Sequence, residues 1–267
     1  MAPAEAYTLS EPHRTDRLYR CEAIVLHGID FKEADRILTL YTKEQGKLSV
    51  IAKGIRKTTS RLGYGLDHLS HVRLMLAHGR TLDVVTGVEL IDGHLSLSGN
   101  VEAYTYASHI AELVNRLTQE RQENRRLFEL LSGAINVIAD GVDPSSVARY
   151  VEMSLFTLLG YRVELYRCVN CDRELQAMAN PLSARLGGFL CPACQEEDRA
   201  AILLSVSAQK YLRLLDRGGL EQTVRREVGE DLRRELELAM IAYARYHAEH
   251  DLTSLSVLHA LESLSSQ

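Results

Sequence analysis

The sequence predicts an α+β chain in which strands come first and helices follow. A small five-stranded barrel leads into an α-helical domain that carries an inserted four-cysteine module. Three observations carry this. Five short apolar runs, alternating or β-branched and separated by turn residues, fall within residues 18–97. From about residue 98 to 267 the apolar spacing is helical. Two Cys-x-x-Cys pairs interrupt that helical pattern at about 166–196.

At 267 residues, 46% apolar and 25% charged, the chain has the composition of a soluble globular protein of two domains or one large one. Residues 1–17 are polar, contain Pro3 and Pro12, and lack the apolar core of a signal peptide. We read them as a disordered extension or a misplaced start. No apolar run reaches the ~18 residues of a membrane span. The expected location is therefore cytoplasmic, with the five cysteines as reduced thiols or metal ligands rather than disulfides.

The strand candidates are CEAIVLHGI (21–29), DRILTLYT (35–42), GKLSVIAKG (46–54), HVRLMLAHG (71–79) and TLDVVTGVEL (81–90). Gly46, the Gly63-Tyr64-Gly65 stretch and the His78-Gly79-Arg80 tip punctuate them. Five strands in about 80 residues suit a closed or partly closed barrel, of which the OB-fold is the commonest with a nucleic-acid role. Helices are expected over 101–118, with Ser98 or Asn100 as cap, and over 125–140, ending at Gly141. A third spans 143–161, capped by Asp143 with Pro144 in the first turn and Gly160 at the close. Segments 205–217, 228–248 and 255–264 read as three more.

Cys168 and Cys171 are followed, 19 intervening residues later, by Cys191 and Cys194. Four thiolates in two knuckles match the tetrahedral preference of Zn²⁺, and each two-residue gap lets a pair chelate through a tight turn. Gly187-Gly188-Phe189 resembles the turn and aromatic of a zinc ribbon. A Cys₄ set leaves no open coordination position, so the expected role is structural. Cys21, alone in a strand, reads as a small buried apolar residue.

Charge is placed unevenly. Between residues 41 and 80 stand Lys43, Lys47, Lys53, Arg56, Lys57, Arg61, Arg73 and Arg80 against only Glu44 and Asp67. That segment is net +6 in a chain of net −5, which leaves −11 for the rest. A basic segment on an acidic body points to a surface for polyanions, the alternative being a solvated loop. Placed on the barrel, the loop after the third strand, Arg73 on the fourth and Arg80 at the hairpin tip could line one groove. No P-loop, dinucleotide, zinc-protease or nucleophile-elbow motif occurs. No catalytic constellation emerges, and the chain reads as a binder, not an enzyme.

The stretch 19–62, with its EAIVL, EADRILTLYT and GKLSVIAKG segments leading into SRL, resembles the opening of the bacterial recombination mediator family RecO. GVELID (87–92), the Cys₄ insertion and RYHAEHDLTSLSVLHAL (245–261) fit as well. After SRL the family often has a Gln-Pro dipeptide, where this chain has Leu66-Asp67-His68. The resemblance implies an OB-fold, a helical domain and one structural zinc. It also implies DNA repair and homologous recombination by a cytoplasmic, nucleoid-associated protein: binding of single- and double-stranded DNA, annealing of complementary strands, and help in loading recombinase onto strands coated by single-strand-binding protein. Its partners would be RecR, the acidic tail of that coating protein and, indirectly, RecA. KGIRKTTSR would meet the DNA backbone. The tail would need an apolar pocket with a cation beside it, on the helical domain, with Arg213 and Arg217 or Arg233 and Arg234 as candidates. The competing reading is a zinc-ribbon module that binds RNA or a transcription complex.

Overall fold

A computed structural model describes residues 17–248, apart from positions 59, 61, 64 and 225. The extension up to residue 16, the helix expected at 255–264 and Arg61 lie outside the described residues.

Five strands close into a barrel: β1 (Leu18–Phe31), β2 (Asp35–Thr42), β3 (Gly46–Ala52), β4 (His71–Ala77) and β5 (Asp83–Asp92). The order is β1-β2-β3-β5-β4, with β3 and β5 parallel and the other pairs antiparallel. This is the five-stranded Greek-key barrel that the strand count anticipated. The long first strand serves two neighbours. Leu18–Ile24 pair with β4 and Ala23–Phe31 with β2, and a bulge between Val25 and His27 provides the bend.

Strand alternation sorts β1 onto two cores. Cys21, Ala23 and Val25 join Leu38, Leu40, Leu48, Val50, Val72 and Leu74 inside the barrel. Ile24 and Leu26 point the other way, and with Tyr41 and Leu69 they belong to the core of the helices. The run Ala23–Leu26 is therefore buried on both faces.

The helices run α1 (Leu95–Ser98), α2 (Val101–Leu117), α3 (Arg125–Ala139), α4 (Pro144–Leu158), α5 (Val206–Arg217), α6 (Leu220–Thr223) and α7 (Glu230–Ala248). Side-chain oxygens cap the main ones: Asn100 accepts from the Ala103 amide, Asn124 from Leu127, Asp143 from Ser146 and Ser205 from Ala208. Ser98 ends the short α1, so Asn100 is the cap of α2. Gly141 and Gly160, both at φ +87°, follow α3 and α4 in the left-handed conformation that glycine adopts without strain. Between α4 and α5 lies the cysteine module. Its sheet has the order β7 (Gly188–Phe189), β6 (Asn180–Ser183), β8 (Ile202–Leu204), with a 3₁₀ turn at Pro192–Glu197.

Barrel and helices are joined by polar contacts as well. The chain between α2 and α3 runs beside the first half of β3, where the Arg121 amide donates to the Lys47 carbonyl at 2.8 Å. Gly46 (φ +68°) permits this, since a Cβ there would stand 1.9 Å from the Gln122 carbonyl oxygen. Asp83, at the start of β5, is buried. Its carboxylate accepts from the Tyr19 hydroxyl at 2.6 Å, the Gly79 amide at 3.1 Å and the Arg121 guanidinium at 3.0 Å. Burial alone would raise its pKa, but these donors offset that and hold it below the usual carboxylate value.

Asp83→Asn should therefore cost about 2–3 kcal/mol of stability, the penalty for disrupting a buried charged hydrogen-bond network. Because the folded pKa is lowered, the Asp83 contribution is complete above the ordinary carboxylate value of about 4 and is lost as pH falls through the folded value. Denaturant titrations of both proteins should therefore differ by less at acid pH than at pH 7. A constant difference from pH 7 to pH 2 would remove Asp83 from this role.

Candidate nucleic-acid interface and metal centre

After β3 the chain turns sharply. Gly54, at φ +66°, reverses the backbone, and Ile55 anchors the turn in the barrel core. The turn is fastened to the β1–β2 hairpin: the Gly54 amide donates to the Asp35 carboxylate at 2.7 Å and the Arg56 amide to the Ala34 carbonyl at 3.1 Å. Lys53, Arg56 and Lys57 are all exposed on it. Arg56 makes an ion pair with Asp30 at 3.4 Å, and both partners are about half exposed. Such a pair adds little to stability and leaves the guanidinium accessible.

The other candidate cations are not gathered in the same groove. The Lys47 ammonium donates to the Asn115 carbonyl at 2.6 Å and to the Thr118 carbonyl, at the end of α2. Burial there pulls its pKa below that of an ordinary lysine. Lys47 is thus a clamp between barrel and helices. Lys43 lies nearby, paired with Glu22 at 3.4 Å and set over the Phe128 ring. Arg73 faces outward from β4 and pairs with Glu89 at 2.9 Å. Arg80 is exposed on the β4–β5 hairpin, beside the Leu18 end of β1, whereas the Lys53–Lys57 turn lies at the Phe31 end. The expected single groove is replaced by one compact basic turn and scattered cations.

Two cations that the 41–80 window left out belong with the turn. Arg36 pairs in register with Ala52, so it emerges beside Lys53, and its Nε lies 3.3 Å from Asp30. Lys32, at the hairpin tip, sits over the Phe31 ring at 5.3 Å. The signal that could have found them was strand pairing across the hairpin rather than charge counted along the chain.

The four cysteines of the module converge. The sulfurs of Cys168, Cys171, Cys191 and Cys194 all lie within 4.8 Å of one another, and none forms a disulfide. Cys171 and Cys191 are 3.7 Å apart. A tetrahedron with ~2.3 Å metal–sulfur bonds has edges of about 3.8 Å, so this set fits a thiolate-bound metal ion. The knuckles are brought together by backbone bonds: the Val169 amide donates to the Phe189 carbonyl at 2.9 Å and the Phe189 amide to the Glu164 carbonyl at 3.0 Å. Gly188 allows that approach, because a Cβ would stand 2.6 Å from the Glu164 oxygen. Amides favour the thiolate as well. Burial raises the Cys168 pKa, but the N–H groups of Cys191, Cys171 and Asn170 prevail and lower it to about 6. Cys21, as expected, is a buried residue of the barrel core.

Against this geometry the similarities of the sequence can be placed. The family model described as recombination protein O N terminal matches residues 17–94, and that described as recombination protein O C terminal matches residues 98–256. The chain belongs to the RecO family. Relatives named DNA repair protein RecO include that of Roseiflexus sp. (strain RS-1), 38% identical over 91% of this chain and 86% of the relative. That of Dehalococcoides mccartyi (strain BAV1) is 31% identical over 95% of this chain and 98% of its own length. That of Pelotomaculum thermopropionicum is 35% identical over 91% and 94%. The RecO models cover barrel and helices alike, so the resemblance seen in the opening strands extends through the module. Among the described residues no helix is long and apolar enough to cross a membrane.

A metal at the four sulfurs should be measurable. Protein purified without chelator should carry about one equivalent of metal per chain by elemental analysis. Cys191→Ser should lower both the metal content and the melting temperature. Full retention of melting temperature after exhaustive metal removal would show that the site does not stabilise the fold.

Proposed function

We propose that this chain acts in DNA repair and homologous recombination by binding single- and double-stranded DNA through the phosphate backbone. It anneals complementary strands and assists recombinase loading onto strands coated by single-strand-binding protein. The observation that carries this is the basic turn fastened to the β1–β2 hairpin: Lys53, Arg56 and Lys57 displayed together at one end of a barrel in a RecO-family chain. Residues 18–97 would be the DNA-binding unit, 98–267 the helical unit, and residues 1–17 an extension. Phosphate neutralisation carries no sequence information, and that is what annealing requires: two polyanions are screened while base edges stay free to pair. Nothing in this reading makes or breaks a bond. The metal is Zn²⁺ in a structural role, since all four positions are taken by thiolates.

The partners in this reading are RecR, RecA indirectly, and the acidic tail of single-strand-binding protein. A cleft of about 570 Å³ between α3, α4 and α5, lined by Leu130, Tyr150, Met153 and Leu215, has Arg126 beside it and Arg162, which is paired with Asp216 at 3.0 Å, and suits that tail. Three of the four earlier candidates are engaged elsewhere. Arg213 donates to the Leu165 carbonyl and Arg217 stacks on Tyr166. Arg233 pairs with Asp143 and Glu102.

Changing Lys53, Arg56, Lys57 and Arg61 together to Ala should weaken DNA binding for every sequence alike. The slope of log affinity against log salt should flatten by about 3, at ~0.7 per single-strand phosphate contact. Annealing should fall with it. Lys47→Met should do the opposite: lower stability by about 1 kcal/mol, because two half-buried carbonyls lose their donor, and leave the salt slope unchanged. A quadruple variant that folds and keeps the original slope would place the DNA elsewhere.

For the tail, Arg126→Ala with Arg162→Ala should reduce binding of an acidic tail peptide about tenfold, roughly 1.4 kcal/mol, without altering DNA affinity. Undiminished peptide binding by this variant would exclude the cleft.

A further inference from the structure

A second cleft, of about 840 Å³, opens where the barrel meets the helices. Its size falls in the ~300–1,000 Å³ range of small-molecule pockets. One wall is the far end of β5, with Leu90 and Ile91, and another is α1 and the start of α2, with Leu95 and Tyr104. These four side chains are unusually open for large apolar groups: 40%, 41%, 83% and 40% exposed respectively. The third wall is the chain descending from the basic turn. Gly65 (φ +99°) lies directly against Leu90, where a Cβ would stand 3.3 Å from the Leu90 Cβ. Next to it His68 holds the Tyr104 ring, with 5.8 Å between ring centroids, an interplanar angle of 73° and Nδ1 3.1 Å from the hydroxyl.

The cleft shares its lip with the cationic turn. Arg36 lines the cleft and pairs with one oxygen of Asp30, while Arg56 pairs with the other. The lining also carries two exposed carboxylates, Asp67 and Asp92, the latter accepting from the His94 amide at 2.7 Å. Carboxylates repel a phosphodiester and an acidic peptide, but they accept hydrogen bonds from exocyclic amino groups. A cleft with one apolar wall, an oriented aromatic ring, carboxylate acceptors and the Arg36 cation in its lining suits a base whose own phosphate stays outside.

We propose that this cleft seats an unpaired nucleobase of single-stranded DNA, and that Tyr104 supplies the stacking surface. The inference rests on the phosphate-binding reading of the adjacent turn and deepens it. Phosphate contacts alone leave single and double strands nearly equivalent. A base seat adds a term only single strands can use, because bases paired inside a duplex cannot enter. The aromatic comes from α2, so the stacking function belongs to the junction and not to the barrel's own strands.

The test uses the full-length chain. Tyr104→Ala should lower affinity for a single-stranded oligonucleotide about tenfold, with duplex affinity and the salt slope unchanged, since stacking releases no counterions. Tyr104→Phe should retain the original affinity, which separates stacking from the His68 hydrogen bond. An oligonucleotide containing 2-aminopurine should lose fluorescence on binding to the original protein and regain it with Tyr104→Ala. Equal losses for single and double strands in a folded Tyr104→Ala protein would overturn the proposal, as would 2-aminopurine emission that binding does not change. The quadruple loop variant keeps the two readings apart. Loss of the salt slope there, with Tyr104→Ala indistinguishable from the original, would retain the phosphate contacts and discard the base seat. An unchanged slope would discard the phosphate contacts.

Discussion

The double burial of β1 is the constraint on which the rest of the arrangement depends. Within four consecutive residues, Ala23 and Val25 fill the barrel while Ile24 and Leu26 fill the helical core. Each large apolar side chain removed from water contributes roughly 2 kcal/mol. Ile24, Leu26, Tyr41 and Leu69 together therefore supply an amount comparable to the whole net stability of a typical domain, about 5–15 kcal/mol. Because the strand period is two, a one-residue slip of β1 would exchange the two sets and spoil both cores at once. Barrel register and barrel–helix docking are thus a single specification. Everything mounted on the barrel surface, the Lys53–Lys57 turn included, inherits its position relative to α2 from it.

Polar groups at depth tighten the same assembly. In the helical core Glu152 accepts from Arg149 at 2.6 Å and faces the His109 ring at 2.8 Å, with all three at most 2% exposed. This ties α2 to α4 across a plane otherwise filled by Ile110, Leu113 and Val151. A buried ionic cluster adds little net stability against an apolar replacement, because desolvation offsets the attraction. Its geometric demand is stricter than that of methyl groups, so it favours one packing of α2 on α4. Asp83 does the equivalent at the barrel edge, where three donors converge from β1, the β4–β5 hairpin and the chain after α2.

What could be read from the sequence followed from local rules. Strand alternation, glycine turns and Asn or Asp caps act over a few residues, so the five strands and the main helices lie within a few residues of expectation. The cysteine centre was legible for the same reason: two chelating turns are local, and only their meeting is tertiary. The surface was harder. A window of charge along the chain could not tell that Lys47 faces the end of α2, or that Arg36 emerges beside Lys53. Both depend on which strands are neighbours. Helical spacing puts Tyr104 near the face of α2 that carries Ile110, Leu113 and Val114, yet it is 40% exposed beside the barrel. Helical periodicity assigns a side chain to a face, but not what covers that face.

The fate of the basic residues shows what decides a cation's role. Lys47 and Lys53 lie six positions apart in one strand-and-turn segment and are identical in chemistry. At Lys47 the last turn of α2 and Thr118 just after it remove water and supply carbonyl oxygens, so the ammonium is spent on internal hydrogen bonds and its pKa falls. At Lys53 the turn projects past the end of the sheet, and the side chain is exposed among the described residues. A cation with protein acceptors opposite it holds the fold together. One facing water retains its full counterion atmosphere, which is the quantity exchanged when a phosphate arrives. Arg73 is separated from Lys57 by position rather than by burial: it stands on β4, paired with Glu89 but still about half exposed, away from the basic turn. In the proposed reading, therefore, the acidic remainder of the chain has a function of position: it leaves few faces on which a polyanion can settle, and the exposed basic turn adjoins the cleft at the barrel–helix junction.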